Sequence, residues 1–301
     1  MLKKISLLFV LLSGVFWGSS PLFVSYLTEL GFDSFQCTAI RIVLAAPLLH
    51  ICLLISGRSN YKMPIKAFAY LAICGVGSVL TMCVCYYCSM TLTSAAVSAV
   101  LLYTSPIFVM IMSVIFFKER FTVKKGTALL LAVIGCALTS GIIGGLTGSV
   151  LGVVFGILSG FAYSLYGIFS TFALRLGVSP LACTTFSFTF AAIAALFITN
   201  PISLVSEIIA FSGEPLKILI LPLFSICTAI IPYMLYTVGL TNVKPDIAAI
   251  AASTEPVVCA LIGVFILNQS ISVFQVIGIA LVISAIVILN LNISKSKKSA
   301  E

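Results

Sequence analysis

Charged side chains are scarce in this 301-residue sequence, at 8%, whereas hydrophobic residues make up 61% and the mean hydropathy is +1.27. A soluble globular domain carries about 25% charged residues and covers its surface with polar groups that this chain lacks. The composition therefore excludes a water-soluble globular protein. Because the apolar runs are long and show little of the alternation typical of barrel strands, they predict an all-α integral membrane protein.

Groups that carry chemistry are also scarce. The chain has one histidine, no His-Glu-x-x-His sequence and no Gly-x-Ser-Gly sequence, although an intramembrane enzyme needs a nucleophile–base pair or a metal site. It has no Walker sequence, so ATP is not its direct energy source. We therefore expect no enzymatic activity and no cofactor, and we interpret the net charge of +8 as membrane topology rather than nucleic-acid binding.

Polar interruptions divide the chain into ten apolar segments, each near the roughly 20 residues that cross about 30 Å of hydrocarbon. The first segment follows Lys3 and Lys4 like a signal peptide, but it continues through Pro21 without a small-x-small cleavage site, so we interpret it as a helix. The predicted spans are residues 5–27, 33–56, 66–90, 95–117, 122–141, 149–173, 179–199, 217–240, 245–267 and 271–292.

Basic residues are distributed unevenly between the two sides of this arrangement. With the N-terminus placed in the cytoplasm, every lysine and arginine except Arg41 and Lys217 lies on the inner side. The positive-inside rule then predicts a multi-pass protein of the plasma membrane, the inner membrane of a bacterium, with both termini cytoplasmic and a basic tail at 293–301.

An internal repeat relates the two halves of the chain. The stretch "STEPVVCALIGVFILNQS" (253–270) aligns with "YTSPIFVMIMSVIFFKER" (103–120), and "SGFAYSLYG" (159–167) aligns with "SGVFWGSSP" (13–21). We therefore expect one repeat of five helices at 1–141 and a second at 148–292. The matched pairs are Thr104 with Thr254, Pro106 with Pro256, Tyr86 with Tyr236, Gly14 with Gly160, and Trp17 with Tyr163.

An odd number of spans per repeat has a geometric consequence. If the first repeat enters from the cytoplasm, the second enters from the outside, so the two five-helix repeats have inverted topology. Inverted repeats with a site between them are a recurrent architecture of secondary transporters, in which exchanging the conformations of the halves gives alternating access.

The chain resembles the EamA family of the drug/metabolite transporter superfamily over nearly its whole length. The motifs are "GVFWGSSPLF", "RIVLAAPLL" from Arg41, "LLYTSPIF", "FFKER" and "STEPVV". The resemblance implies ten helices in two repeats, and export of small metabolites such as amino acids. Drug efflux and flipping of a lipid-linked or amphipathic substrate are the alternatives. One departure is Asn268-Gln269, where the family often has Gly-Glu.

The expected partners are a small-molecule substrate and membrane lipid, and the chain could act as a monomer or a homodimer. A passive channel is a further alternative, which the inverted repeat disfavours.

Two ionisable residues lie deep in predicted spans, where a charge costs about 2.5–3.5 kcal/mol. Glu255 lies about 15 Å from one end of its helix and Arg41 about 12 Å from the opposite end, so both are near the middle of the membrane. They could form a direct or water-bridged pair that only locks two helices, or one could bind substrate while Glu255 carries a coupling proton. His50, near a helix end, is interpreted as an interfacial hydrogen-bonding residue.

Prolines and aromatic residues complete the candidate site. Pro106 and Pro256, at matching positions, predict kinks that bend two helices around a central space. Aromatic residues inside the spans are candidates to line that space, since buried Tyr and Trp need hydrogen-bond partners. The aromatic candidates are Trp17, Tyr86, Tyr103, Tyr163, Tyr166 and Tyr236.

Cysteine spacing raises one further alternative. In "CVCYYCS", Cys85 and Cys88 share a helical face near Cys83, which is compatible with a thiolate metal site. All ten cysteines lie in predicted spans, so we interpret them as small hydrophobic residues and expect no metal.

Overall fold

The computed structural model describes residues 2–57, 61–140, 149–198, 215–268 and 270–298, with side chains described except at 34, 215–217 and 289–298. Within these residues every long element is helical. The α-helices are α1 (Leu2–Gly18), α2 (Ser20–Glu29), α3 (Ser34–Ser56), α4 (Ile65–Ala72), α5 (Thr81–Leu92), α6 (Ala95–Leu102), α7 (Ser105–Phe117), α8 (Val123–Thr139), α9 (Val150–Arg175), α10 (Pro180–Ile198), α11 (Pro215–Ser225), α12 (Ile231–Leu240), α13 (Pro245–Ala252), α14 (Thr254–Phe265) and α15 (Val273–Lys298).

Eight segments of the described chain are long and apolar enough to cross a membrane, some of them made of two or three consecutive helices. Two helices coincide with the remaining predicted spans: α8 has 17 residues, and the apolar part of α15 covers Val273–Ile288. The prediction of an all-helical membrane protein is confirmed. The described residues establish eight candidate spans, two fewer than the sequence predicts.

Several helices begin where polar side chains satisfy the free N–H groups of the first turn. Asp33 caps α3 by accepting hydrogen bonds from the backbone of Phe35 and Gln36, and Gln36 accepts one in return from the Asp33 N–H. Such a capping box fixes the start of a helix. Ser94 caps α6 in the same way by accepting from the Val97 N–H at 3.2 Å.

Three spans are broken near their middle. The breaks separate α1 from α2, α6 from α7, and α13 from α14, and each is followed by a proline in the first turn of the next helix: Pro21, Pro106 and Pro256. Proline is tolerated there because the N–H it lacks would have no partner in the helix. The predicted kinks at Pro106 and Pro256 are therefore breaks two or three residues before each proline. The break at Ser19 was not predicted.

Two other spans contain π-helical segments, at Ile73–Leu80 between α4 and α5 and at Ile226–Ile230 between α11 and α12. A shift of 150 residues superimposes Ile226–Ile230 on the second half of Ile73–Leu80. A π segment inserts an extra residue into a helical turn and frequently occurs at functional sites.

Glycines let the backbones of neighbouring helices touch. A Cβ atom added at Gly135 of α8 would lie 2.8 Å from the Gly278 carbonyl oxygen of α15, and one added at Gly278 would lie 2.7 Å from the Gly135 carbonyl oxygen. Close approach through small residues is typical of helix pairs in membranes. This contact joins the last helix of each half of the chain.

Candidate functional site

A cavity of about 580 Å³ lies between the two halves of the chain. Its lining reaches from the breaks in the middle of the bundle to Ala95 at the start of α6, Ser140 after α8 and Gln275 in the first turn of α15. We call this side of the bundle the open end. The closed end is the opposite side, where α8 and α13 begin.

Six of the eight predicted lining residues lie on the cavity wall, and Tyr166 and Tyr236 do not belong to its lining. Both of these tyrosines are buried in the protein core beneath the cavity. The structure thus brings together residues from six different helical segments. The six are Trp17, Arg41, Tyr86, Tyr103, Tyr163 and Glu255.

Glu255 is held in the first turn of α14, next to the break that precedes it. The Tyr163 hydroxyl donates a hydrogen bond to the Glu255 Oε2 atom at 3.3 Å, and the Tyr103 side chain interacts with the same carboxylate. The helix break directs the partial positive charge of the α14 N-terminus toward this position. The carboxylate is therefore supported on one side and faces the cavity on the other.

Arg41 occupies the middle of α3 and also faces the cavity. Its Nη2 atom lies 3.4 Å from the Cys83 Sγ atom, a weak acceptor, and its backbone carbonyl accepts a hydrogen bond from the Ser225 hydroxyl at 2.8 Å. No carboxylate in the described part of the chain forms an ion pair with Arg41.

Arg41 and Glu255 therefore share one cavity, and of the two arrangements that the sequence allows, a direct or a water-bridged pair, the direct ion pair is not formed in this structure. An arginine fork binds a carboxylate in two hydrogen bonds, and a carboxylate accepts from an ammonium group. In this site Arg41 can consequently bind an anionic group and Glu255 a cationic group.

Aromatic rings close the cavity toward the middle of the bundle. Trp17 contacts Tyr163, Tyr233 and Tyr236, with ring centroids 6.0, 5.0 and 5.5 Å apart. Below them the Tyr166 hydroxyl lies 3.0 Å from the Thr237 hydroxyl. We call Trp17, Tyr163, Tyr166, Tyr233 and Tyr236 the aromatic floor.

Tyr233 and Cys83 are among the lining residues that were not predicted from the sequence. They stand 150 positions apart, and Tyr233 precedes the candidate Tyr236 by three residues, on the same face of its helix. The repeat offset together with the helical period could have identified both.

Charged residues meet at the closed end. Lys125 of α8 pairs with Asp246 in the first turn of α13 and lies 3.8 Å from Glu119, which in turn pairs with Lys244. Asp246 is fully buried and its Oδ1 atom accepts a hydrogen bond from the Ile247 N–H at 2.8 Å. We call Glu119, Lys125, Lys244 and Asp246 the charge cluster.

The remaining sequence candidates lie away from the cavity or form no site. His50 contacts the Tyr61 hydroxyl at 3.1 Å and the Thr189 hydroxyl at 2.9 Å near the end of α3. Among the described residues no group of three or more His, Cys, Asp or Glu side chains is arranged to hold a metal ion, and this includes Cys83, Cys85 and Cys88. Gln269, the departure from the resembled pattern, lies outside the described residues.

Comparison with known proteins gives concordant matches along the chain. The model of the EamA-like transporter family matches residues 4–141 and again residues 150–291. An uncharacterized transporter of Archaeoglobus fulgidus is 28% identical over 93% of this chain and 94% of its own length. An uncharacterized transporter of Clostridium kluyveri is 25% identical over 97% of this chain and 94% of its own.

Two further matches are more distant. The uncharacterized transporter YyaM of Bacillus subtilis is 25% identical over 79% of this chain and 78% of its own length. One solved crystal structure superposes with a TM-score of 0.76 at 18% identity, covering 95% of this chain and 96% of that chain, which shows a similar fold.

Proposed function

This chain belongs to the EamA-like transporter family, and we propose that it is a secondary active transporter that exports small metabolites such as amino acids. Transport would proceed by alternating access between two inverted repeats of five spanning helices. On this proposal α8 and α15 are the fifth and tenth spans, both termini are cytoplasmic, and the membrane is the bacterial inner membrane.

One observation supports a zwitterionic substrate. Arg41 and Glu255 stand unpaired on the wall of one cavity at the middle of the bundle. A bound zwitterion would supply a carboxylate to Arg41 and an ammonium group to Glu255, and would compensate two charges whose burial is otherwise costly. The Trp17, Tyr86 and Tyr103 rings offer apolar surface for the rest of such a molecule.

Matched packing between the halves supports the inverted repeat. A Cβ atom added at Gly14 would lie 1.9 Å from the Thr254 hydroxyl and 3.0 Å from the carbonyl two residues earlier. At Gly160 the same atom would lie 2.7 Å from the Thr104 hydroxyl and 3.1 Å from the carbonyl two residues earlier. Each glycine therefore lets its helix pack closely against the break in a helix of the other half, Gly14 at Thr254 and Gly160 at Thr104.

The direction of access follows from the same correspondence. Alternating access by inverted repeats requires that the halves exchange conformations, so the end that is closed here opens in the other state. With the cytoplasmic N-terminus that the basic residues predict, the open end faces outward. The described state is then outward-facing.

Glu255 is the candidate for energy coupling. Among the described residues it is the carboxylate that lines the cavity, and it accepts a hydrogen bond from a tyrosine hydroxyl. A proton that binds there in one state and leaves in the other would link export to the proton gradient.

The test is transport by the purified protein in proteoliposomes, over a panel of amino acids, their amides and amines, nucleosides, cationic drugs and a labelled lipid, with and without a pH gradient. The proposal expects movement of zwitterions in preference to analogues that lack either charge. Movement of lipid alone would indicate a flippase, and gradient-independent leakage of all solutes would indicate a channel; either result would refute the proposal.

A further inference from the structure

We propose that the charge cluster is a gate that holds the closed end shut at rest, so that the empty transporter stays open at one end only. The inference rests on the proposed alternating access, because a gate has meaning only if the closed end opens in another state. It assigns to Glu119, Lys125, Lys244 and Asp246 a role separate from substrate binding.

The cluster joins the two halves of the chain. Glu119 and Lys125 belong to the first family match, and Lys244 and Asp246 belong to the second. The charges alternate in sign along the row Asp246, Lys125, Glu119, Lys244, and neighbours in the row contact one another. Separating the halves at this end would break the two ion pairs of the cluster that join them, Lys125 with Asp246 and Glu119 with Lys244.

The pair formed by Lys125 and Asp246 is buried and therefore contributes most to holding the gate closed. The Asp246 side chain is 0% exposed and that of Lys125 11%, whereas that of Lys244 is 54% exposed. Breaking a buried pair by removing one partner leaves an uncompensated charge and is strongly destabilising, whereas exposed pairs contribute little. Asp246 also lies in the first turn of α13, where the helix dipole favours its negative charge.

The cluster is separated from the binding cavity by about 14 Å along the chain, the rise of the nine residues from Asp246 to Glu255. The aromatic floor lies between them. The closed end therefore has two barriers, a layer of rings below the cavity and a row of charges at the edge of the bundle.

In the sequence, the positions that a shift of 150 residues relates to the charge cluster carry no charge. A shift of 150 residues relates Lys125 to Gln275 and Asp246 to Ala96. The same shift relates Glu119 to Gln269 and Lys244 to Ser94.

The amide of Gln275 lies 3.4 Å from the Thr139 carbonyl oxygen at the mouth of the cavity. When the halves exchange conformations, Ala96 and Gln275, the described counterparts of Asp246 and Lys125, would meet without forming an ion pair. The two closed states consequently differ in electrostatic stabilisation, and the state described here is the more stable one for the empty protein. Substrate or proton binding must offset this difference before the closed end can open.

Labelling of Cys259 from outside the cell tests the gate. Cys259 lines the cavity, so a membrane-impermeant maleimide reaches it only while the open end is open. Labelling of Cys259 is measured as the difference in label between a protein that contains Cys259 and the same protein with Cys259→Ser. We expect Lys125→Ala and Asp246→Asn to slow this labelling about tenfold, because the population shifts to the other state. Lys62→Ala removes an exposed lysine outside the cluster and should leave the rate unchanged.

A second variant keeps the test decisive if those proteins fail to fold. Ala96→Asp combined with Gln275→Lys leaves the native cluster intact and places a pair of charges at the open end. This variant should also slow labelling of Cys259 about tenfold, because it stabilises closure of that end. If Lys125→Ala and Asp246→Asn fold and are labelled as fast as the unmodified protein, the gate is overturned. If these two variants do not fold, the same result in the double variant overturns it.

The labelling result is independent of the transport assay. A shift in labelling without transport of any zwitterion would retain the gate and refute the proposed substrate. Equal labelling of Cys259 from both membrane faces in the unmodified protein, compared in intact cells and inverted vesicles, would refute the gate, because the empty protein would then favour neither state.

Discussion

Tyr86 lines the cavity, whereas Tyr236, which stands 150 positions later, is buried with its ring 5.5 Å from that of Trp17. The two residues occupy equivalent places in the repeat but different environments. If the halves are inverted repeats, as proposed, this difference is expected when only one end of the protein is open. On the proposed mechanism Tyr236 faces the cavity in the state in which Tyr86 is covered.

Cysteine labelling at these two positions provides the first prediction. In Tyr86→Cys, an impermeant thiol reagent should add label from the open end, over the background of the unmodified protein. In Tyr236→Cys, label should be gained only from the opposite membrane face and should increase during transport. Gain of label at position 236 from the open end would contradict the proposed exchange of conformations.

The second prediction concerns the coupling carboxylate. Glu255→Gln keeps an acceptor for the Tyr163 hydroxyl but cannot release a proton, so accumulation driven by a pH gradient should disappear. Exchange of labelled for unlabelled substrate, which needs no net proton movement, should continue in proteoliposomes. Glu29→Gln, at an exposed carboxylate ending α2, is the matched control and should transport normally. Retained pH-driven accumulation in Glu255→Gln would exclude Glu255 as the proton carrier.

Arg41 gives the third prediction. Arg41→Gln removes the charged donor for a substrate carboxylate, a loss of about 1.5–3 kcal/mol and hence of about ten- to hundredfold in apparent affinity. The loss should affect amino acids but spare their amides, which lack the carboxylate, as measured by KM in proteoliposomes. Arg175→Gln is the control, since Arg175 stacks on the Phe117 ring 4.3 Å away, outside the cavity lining. An equal loss for acids and amides would indicate a structural role for Arg41.

The fourth prediction concerns helix packing. A methyl group at Gly14 would collide with Thr254, so Gly14→Ala should lower the free energy of unfolding by about 1–3 kcal/mol. Gly77→Ala, whose Cβ atom would meet Ile73 at an ordinary 3.4 Å, is the control. Thermal unfolding in detergent should separate the two variants. Equal melting temperatures would show that the contact at Gly14 relaxes without cost.

Much of the helical pattern was accessible from sequence because the bilayer imposes length and apolarity on each span. The segment predicted at 95–117 is helical from Ala95 to Phe117, but the break at Tyr103 was predicted only as a kink. A proline indicates that a helix is interrupted, whereas the extent of the interruption depends on tertiary contacts such as that of Gly160 with Thr104.

The candidate site was predictable in part for the same reason. Glu255 and Arg41 were recognisable because charges inside spans are rare, and the structure brings both to one cavity. The pairing of Lys125 with Asp246 was not predicted, since charges near helix ends are ordinary and these two residues are 121 positions apart. The burial of Tyr166 and Tyr236 depends on which end of the protein is open, a property of the conformation rather than of the residue type.

The contact of Gly135 with Gly278 has a consequence for how the chain could be assembled. Under the repeat offset, Gly135 corresponds to Ala285 and Gly278 to Ala128, and these two alanines lie together in one buried cluster. The surfaces of α8 and α15 therefore contact each other at two places that the repeat offset relates. Two polypeptides ending and beginning within residues 141–148 should consequently find each other in the membrane when they are expressed separately. The covalent link between the halves would then serve mainly to fix their ratio and relative orientation.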